Sequence, residues 1–402
     1  MKRPGGNSAS EPAALLLSLE APFPAAGGGA LRTASIIEYL ARRYAVDLIV
    51  FHERGAPDPR PSVPPDLVRD VYLIELPHHS RRLMPRAARN ALRLLLGVPP
   101  LAHRFSGYGG AIAACLGSRR YRVAFIEHSY CAPYLEQIAA RAEECVLDLH
   151  NIESALFERY AATEPWPLSL AFRRFARANR RLERQWLPRF SRVLVASEDD
   201  RGRALGLAPQ ASVAVYPNAI PEAPRPAVPE ENVIVFSGNL EYQPNMSAVR
   251  FFAKRIWPAL EARHPGLVWR IVGKNPHGVA KYVAGRPRIE LIGPVDDAIG
   301  ALGAARVVVV PLLAGGGTRL KILEAWAAGR AVVSTTVGAE GLPARDGEHL
   351  LIADTAETFA AAVSRLLDSP AERARLGAAG RALCEERLTW PRAWEALANL
   401  GI

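Results

Sequence analysis

Apolar residues along this chain gather in short runs, each followed by a turn and then by a stretch of helical periodicity. In the first half the runs predict strands over 15–19, 47–51, 71–76, 123–127, 145–149 and 192–196, with helices such as 31–43 and 131–141 between them. A stretch with Pro221, Pro224, Pro226 and Pro229 then reads as a stiff linker. The alternation restarts, with strands predicted over 233–237, 269–272, 289–292, 307–310, 332–335 and 350–353. Helices are predicted over 246–263, 320–328, 356–367, 371–387 and 391–400. Strands alternating with helices mean α/β architecture with parallel sheets. The four valines Val307 to Val310 suit a strand buried on both faces of such a sheet.

The expected organisation is an extension over 1–11, a first doubly wound domain over 12–216, a linker over 217–232, a second doubly wound domain over 233–386 and a closing helix over 387–402. Two such sheets facing each other would make a cleft at the carboxyl ends of their strands. The extension reads as disordered. The apolar run from Ala13 to Leu19 could belong to a signal peptide, but it is short and leads into prolines and a glycine turn, which favours a first strand.

Composition changes this picture little: with 49% hydrophobic and 22% charged residues among 402, it is that of a globular protein. No run approaches the ~18 apolar residues of a membrane span. Cys115, Cys131, Cys145 and Cys384 are scattered, without metal spacing or a disulfide framework, which fits the cytosol.

Charge adds more. The net charge is +10, and 45 of the 50 cations are arginine. They concentrate between Arg81 and Arg104 and between Arg173 and Arg192. There they interleave at helical spacing with Leu170, Phe172, Phe175, Leu182 and Trp186. A basic amphipathic helix can lie on an anionic membrane surface; the alternative is a solvated face packed on its own domain. No nucleic-acid-binding motif accompanies the charge, so no nucleic-acid partner is expected.

The densest candidate chemistry lies at Gly315-Gly316-Gly317-Thr318-Arg319-Leu320-Lys321-Ile322-Leu323-Glu324, directly after the valine strand. Glycines let a ligand approach the backbone. A helix opens with free N–H groups and a positive dipole end, and Arg319 and Lys321 add two charges there. This is an anion site, with phosphate its usual guest. Glu324 follows one turn after Lys321, where a carboxylate suits sugar hydroxyls. The segment therefore suggests a nucleotide-sugar site.

The second half also carries Phe236-Ser237-Gly238-Asn239-Leu240, Ile271-Val272-Gly273, Ile292-Gly293-Pro294-Val295, Ala325 to Val333, Val337 to Leu342 and Asp346-Gly347. In this order the set resembles the retaining family 4 glycosyltransferases of the GT-B fold. That fold pairs two Rossmann-like domains across a cleft. The resemblance implies a nucleotide-sugar-binding second domain and an acceptor-binding first domain. It also implies a closing helix, with Trp390, that packs back on the first domain. It further implies transfer from a nucleotide-diphosphate sugar to a saccharide or lipid-linked acceptor, with anomeric retention and no metal or other cofactor. Arg319 and Lys321 would hold the diphosphate, Glu324 a ribose or sugar hydroxyl. Gly238, Asn239, Gly273, Val295, Gly316, Gly317 and Thr318 would line the donor.

Gly27, Gly28 and Gly29 match the glycine loop of such enzymes, with Gly28 and Gly29 facing the donor. His150 resembles the family histidine beside the transferred sugar, although Asp148, His150 and Asn151 could equally form a capping network. Glu127, His128 and Ser129 are secondary cleft candidates, and Asn218 reads as a turn residue. The sequence departs from the family in two ways. The first of two glutamates seven residues apart falls at Gly316, and the usual arginine and lysine after the first strand of the second domain are replaced by Asn239 and by Gln243-Pro244-Asn245. Arg319 and Lys321 are therefore expected to carry most of the phosphate binding. Two other functions fit the same residues: a nucleotide-sugar epimerase, and a sugar-nucleotide-binding scaffold without catalysis.

Overall fold

The computed structural model describes residues 12–25, 27–78, 83–316 and 320–402. The expected extension over 1–11 lies outside the described residues. Two parallel sheets form the frame. The first contains β1 (Ala13–Ser18), β2 (Ala45–Glu53), β3 (Asp70–Leu76), β4 (Tyr121–Glu127), β5 (Ala142–Asp148), β6 (Arg192–Val195) and β7 (Val213–Val215), in the order β3-β2-β1-β4-β5-β6-β7. The second contains β8 (Val233–Ser237), β9 (Val268–Val272), β10 (Ile289–Ile292), β11 (Val307–Val310), β12 (Ala331–Ser334) and β13 (Leu351–Ile352), in the order β10-β9-β8-β11-β12-β13. Strand order reverses between β1 and β4 and again between β8 and β11, the two points where helices leave opposite faces and open a crevice.

Every residue of β1, β8, β11 and β12 is buried, because helices cover both faces of the central strands. Edge strands β3, β7 and β10 are partly exposed. The structure adds β7, which the sequence pattern did not predict. Two predicted helices differ in form. Over 131–141, Pro133 leaves a 3-10 turn at Ser129–Tyr134 and a single α-turn at Leu135–Ile138. Over 246–263, α-helix Gln243–Phe251 passes through a π-turn at Phe252–Ile256 into Trp257–Arg263. Pro258 has no N–H for the Lys254 carbonyl, which accounts for the widened turn.

The helix Trp390–Asn399 lies against the first domain, on the helix Gly28–Leu40. Trp394 Nε1 donates to the Ser35 carbonyl at 2.9 Å, and Tyr39 Oη donates to the Ile402 carbonyl at 2.8 Å. Trp390 is buried, with its indole N–H on the Ala219 carbonyl at 3.2 Å.

Helices Glu153–Thr163 and Leu168–Trp186 pack together behind the β5 loop and enclose two carboxyls. Burial, with Glu183 close by, pushes Glu153 up to about 8. Burial pushes Glu183 up to about 7, although the Ser154 hydroxyl and backbone N–H both donate to it. In the unfolded chain both ionise near ~4.3. Between that pH and about 8 the native state holds more protons, so stability falls as pH rises. The thermal midpoint should therefore drop from pH 6 to pH 9, and Glu183→Gln should flatten that drop; differential scanning calorimetry across this range measures it.

Candidate functional site

The carboxyl ends of β1, β4 and β5 converge around one ion pair. Arg32, on the glycine-led helix Gly28–Leu40, and Asp148, the last residue of β5, are both buried. The guanidinium donates through Nη2 to Asp148 Oδ1 at 2.6 Å and through Nε to Oδ2 at 2.8 Å. Its Nη1 reaches the Tyr216 carbonyl at 2.7 Å and Asn218 Oδ1 at 2.8 Å. Burial alone would raise the Asp148 carboxyl, but the Arg32 charge and the hydrogen bonds it accepts hold it well below the usual carboxylate range.

His150 stands beside this pair, with Nε2 3.3 Å from Asp148 Oδ2 and 3.9 Å from Glu127 Oε1. That nitrogen is buried, with the Asp148 carboxylate as its nearest charged neighbour. Glu127 is buried, accepts the Ser18 hydroxyl at 2.7 Å and the Thr33 hydroxyl, and is pushed up by burial against the opposing His150 charge. His128 holds a backbone φ of 64°, the left-handed region that favours glycine. Its ring lies 4.1 Å from that of His150 and stacks at 5.0 Å on Tyr130. Burial, and then His150, lower its pKa well below the ordinary histidine value, so it stays neutral. Strain at such a position costs ~1–3 kcal/mol and tends to mark functional sites.

Glu20, Gly29, Thr33, Leu101, Phe105, Glu127, His128, Tyr130 and His150 belong to the lining of a cavity of about 250 Å³ at this end of the sheet. One wall is aromatic, Phe105 stacking at 6.0 Å on Tyr130, and the floor is carboxylate and imidazole. Glu127, Asp148 and His150 bring three potential ligand atoms within 4.8 Å of one another. Both Asp148 oxygens already accept from Arg32, whose charge fills the role a metal cation would have there. The donor set therefore does not fit a metal.

The second domain faces this cavity with glycines and a cation. The ends of β8 and β9 cross so closely that a Cβ on Gly273 would meet the Gly238 carbonyl oxygen at 1.7 Å. Lys321, in the helix Leu320–Ala327, donates from Nζ to Asn245 Oδ1 at 2.7 Å and lies 4.1 Å from the centre of the Phe236 ring. Gly238 borders the same ammonium, at 3.1 Å from where its Cβ would be. Glu324, one turn on, is half-buried, and burial raises its carboxyl against the Lys321 charge. Asn239 is exposed and accepts from Asn275 at 3.1 Å, and Val295 is half-buried against the core. Gly317, Thr318 and Arg319 lie outside the described residues.

The two halves touch. Gly28 meets Leu320 of the second domain at 3.2 Å from its Cβ direction, while within the first domain Gly29 meets His150 at 3.6 Å. The Asn151 side-chain amide donates to the Gly316 carbonyl at 3.0 Å and to the His150 carbonyl at 3.2 Å. Arg159 bridges to the Gly315 carbonyl at 2.5 Å and to Glu340 at 2.5 Å, and Arg203 also binds Glu340 at 2.5 Å. His150, Gly28, Gly29 and Gly316 are thus brought into one cleft with Lys321 near its far wall. Sequence reasoning missed Arg32, Arg159 and Arg203, because nothing local marks them among 45 arginines, and it placed Glu340 in the Val337–Leu342 motif without seeing its arginine partners.

Residues 231–369 match the family described as glycosyl transferases group 1, and residues 27–219 match the glycosyl transferase 4-like domain. The chain belongs to the group 1 glycosyltransferases. A relative from Klebsiella pneumoniae, the uncharacterized 44.6 kDa protein in the cps region, is 22% identical over 361 residues, covering 86% of this chain and 88% of the relative. Among solved structures, sucrose-phosphate synthase from Thermosynechococcus elongatus superposes with a TM-score of 0.73 at 18% identity, covering 96% of this chain and 98% of that one. Anabaena Alr3699/HepE, solved with UDP and glucose, gives 0.67 at 14% identity, with 96% and 98% covered. These likenesses establish the GT-B fold of this glycosyltransferase.

The structure also explains the glycosyltransferase's departure at Gly316. A Cβ there would lie 2.5 Å from the Asn151 amide, so the interdomain contact leaves no room for the family glutamate. Gly316→Glu should lower sugar transfer by about tenfold, the scale of a ~1–3 kcal/mol overpacking penalty. Adding Asn151→Gly should recover part of the loss. Initial-rate assays check both; a faster Gly316→Glu enzyme would remove this explanation.

Proposed function

We propose that this chain transfers a sugar from a nucleotide-diphosphate sugar to a hydroxyl of a saccharide or lipid-linked acceptor, with retention of anomeric configuration and without a bound metal. One observation carries the reading. The glycine-lined, cationic end of the second sheet, at Gly238, Gly273, Gly316 and Lys321, opposes the His150 and Glu127 cavity of the first across the Asn151–Gly316 contact. Backbone N–H groups and Lys321, with Arg319, supply the charge that a diphosphate leaving group needs as it departs. Glu324 accepts from a ribose or sugar hydroxyl. The His150 ring, 3.3 Å from Asp148 and in the lining of the cavity, would meet a hydroxyl of the transferred sugar.

Arg32 fills the cationic position beside Asp148, which supports metal independence. A fold like that of HepE, solved with UDP-glucose, supports a uridine donor. The relative from a cps region supports a place in polysaccharide or glycolipid synthesis. Four cysteines without disulfides support action in the cytoplasm.

Isothermal titration with UDP-, GDP- and dTDP-sugars tests the reading. At least one should bind saturably, and Arg319→Ala with Lys321→Ala should weaken it by more than about 100-fold, since each charge-assisted contact is worth ~1.5–3 kcal/mol. Product NMR should show the donor's anomeric configuration. Failure of all three donors to bind, unaltered binding by the double variant, or epimerised donor without acceptor would contradict it.

A further inference from the structure

Twelve large apolar side chains are exposed among the described residues, and nine of them fall within 84–101 and 166–170. Leu92, Leu95 and Leu96 are 50%, 76% and 60% exposed, and Trp166 and Leu170 are 80% and 61% exposed. The last turns of the helix Leu83–Leu96 are inside out: Arg93 is only 6% exposed while Leu92, Leu94, Leu95 and Leu96 face water. Water gives no reason for that arrangement, because burying a guanidinium costs free energy and exposing leucines forfeits it. An apolar phase against the leucines reverses the second cost.

This helix is tied to the helix Leu168–Trp186, where Arg174 Nη2 donates to the Leu95 carbonyl at 2.8 Å. On that second helix Phe175, Ala176, Asn179, Glu183 and Trp186 turn inward, and Arg173, Arg174, Arg177, Arg181 and Arg184 are exposed. Between residues 165 and 192 the chain holds one carboxylate, Glu183, which is buried; between 83 and 104 it holds none. Exposed leucines and tryptophan therefore adjoin a row of cations in which, among the described residues, Arg180 pairs with Glu158 while Arg173, Arg177, Arg181 and Arg184 stand in excess over the acids. A second copy of the chain would bring two such rows together, which like-charge repulsion opposes. Nucleic acid would leave the leucines and Trp166 in water.

We propose that this face, Leu92–Leu96 with Trp166–Leu170, inserts into the interface of an anionic bilayer while the arginine row of Leu168–Trp186 meets lipid phosphates. No helix among the described residues can cross a membrane, so the contact is peripheral. The patch continues to the cavity: Leu101 is 41% exposed and also lines the wall beside Phe105 and His150. Resting on the transferase reading, this placement brings the acceptor cavity to the membrane surface and assigns it a lipid-borne acceptor.

Co-sedimentation of the full chain with vesicles of phosphatidylcholine, with and without phosphatidylglycerol, tests the proposal. The chain should bind only the anionic vesicles. Leu95→Glu with Leu96→Glu should weaken that binding by about tenfold or more, as expected for replacing inserted leucines with like charges to the lipid. Nucleotide-sugar titration of the variant should match the parent chain, which shows that the fold is intact and keeps failure here separate from failure of the transferase reading. The proposal is overturned if the parent chain ignores anionic vesicles, if the leucine variant binds them normally, or if sedimentation equilibrium shows self-association that the variant abolishes in place of vesicle binding.

Discussion

Arg32 and Asp148 are both withdrawn from water, and neither could be without the other. A lone buried charge costs several kcal/mol, and removing one partner of such a pair typically destabilises by ~3–5 kcal/mol. Their pairing joins elements far apart in the chain. Arg32 belongs to the helix that the glycine loop opens, Asp148 ends β5, and Tyr216 and Asn218 mark the exit from the first domain. The pair sets where His150 stands, 3.3 Å from Asp148. Through Tyr216 and Asn218 the same guanidinium anchors the point from which the chain leaves for the second sheet.

The cleft's two walls use different physics. The second domain offers backbone, with Gly238 and Gly273 crossing too closely for side chains and Lys321 as a fixed charge. Such a wall suits an anion, which is held by N–H groups and cations and needs little shape. The first domain offers shape: a stacked aromatic wall, a histidine held in a strained backbone, and the Glu127 carboxyl, which burial pushes up. Gly316 against Asn151 and Glu340 between Arg159 and Arg203 fix the walls at contact distance. The exposed leucines near Leu101 extend the shaped wall outward, so the proposed acceptor cavity and the proposed membrane face share one side of the molecule.

Much of the frame was legible from local pattern. Val233–Ser237, Val307–Val310 and Ala331–Ser334 lie where apolar runs place them, because buried parallel strands need near-continuous apolar sequence. Val213–Val215 escaped notice as a three-residue, half-buried edge strand. Helices containing Pro133 and Pro258 were read for periodicity alone, which ignores the missing N–H. The anion-binding half was visible because glycine and cation spacing is local. Arg32, Arg159 and Asn151 were not legible as contacts, since their partners lie far away in sequence. The absent glutamate at Gly316 was legible, but its cause, the Asn151 amide, was not.

In the proposed function His150 acts on the transferring sugar while the second domain holds the donor. Steady-state transfer kinetics and donor titration of His150→Ala, measured together, test it most directly. The account predicts a fall in kcat of about 100-fold or more, the scale of losing one positioned transition-state partner, with donor affinity within about threefold of the parent. Unchanged kcat in a folded His150→Ala chain would contradict it.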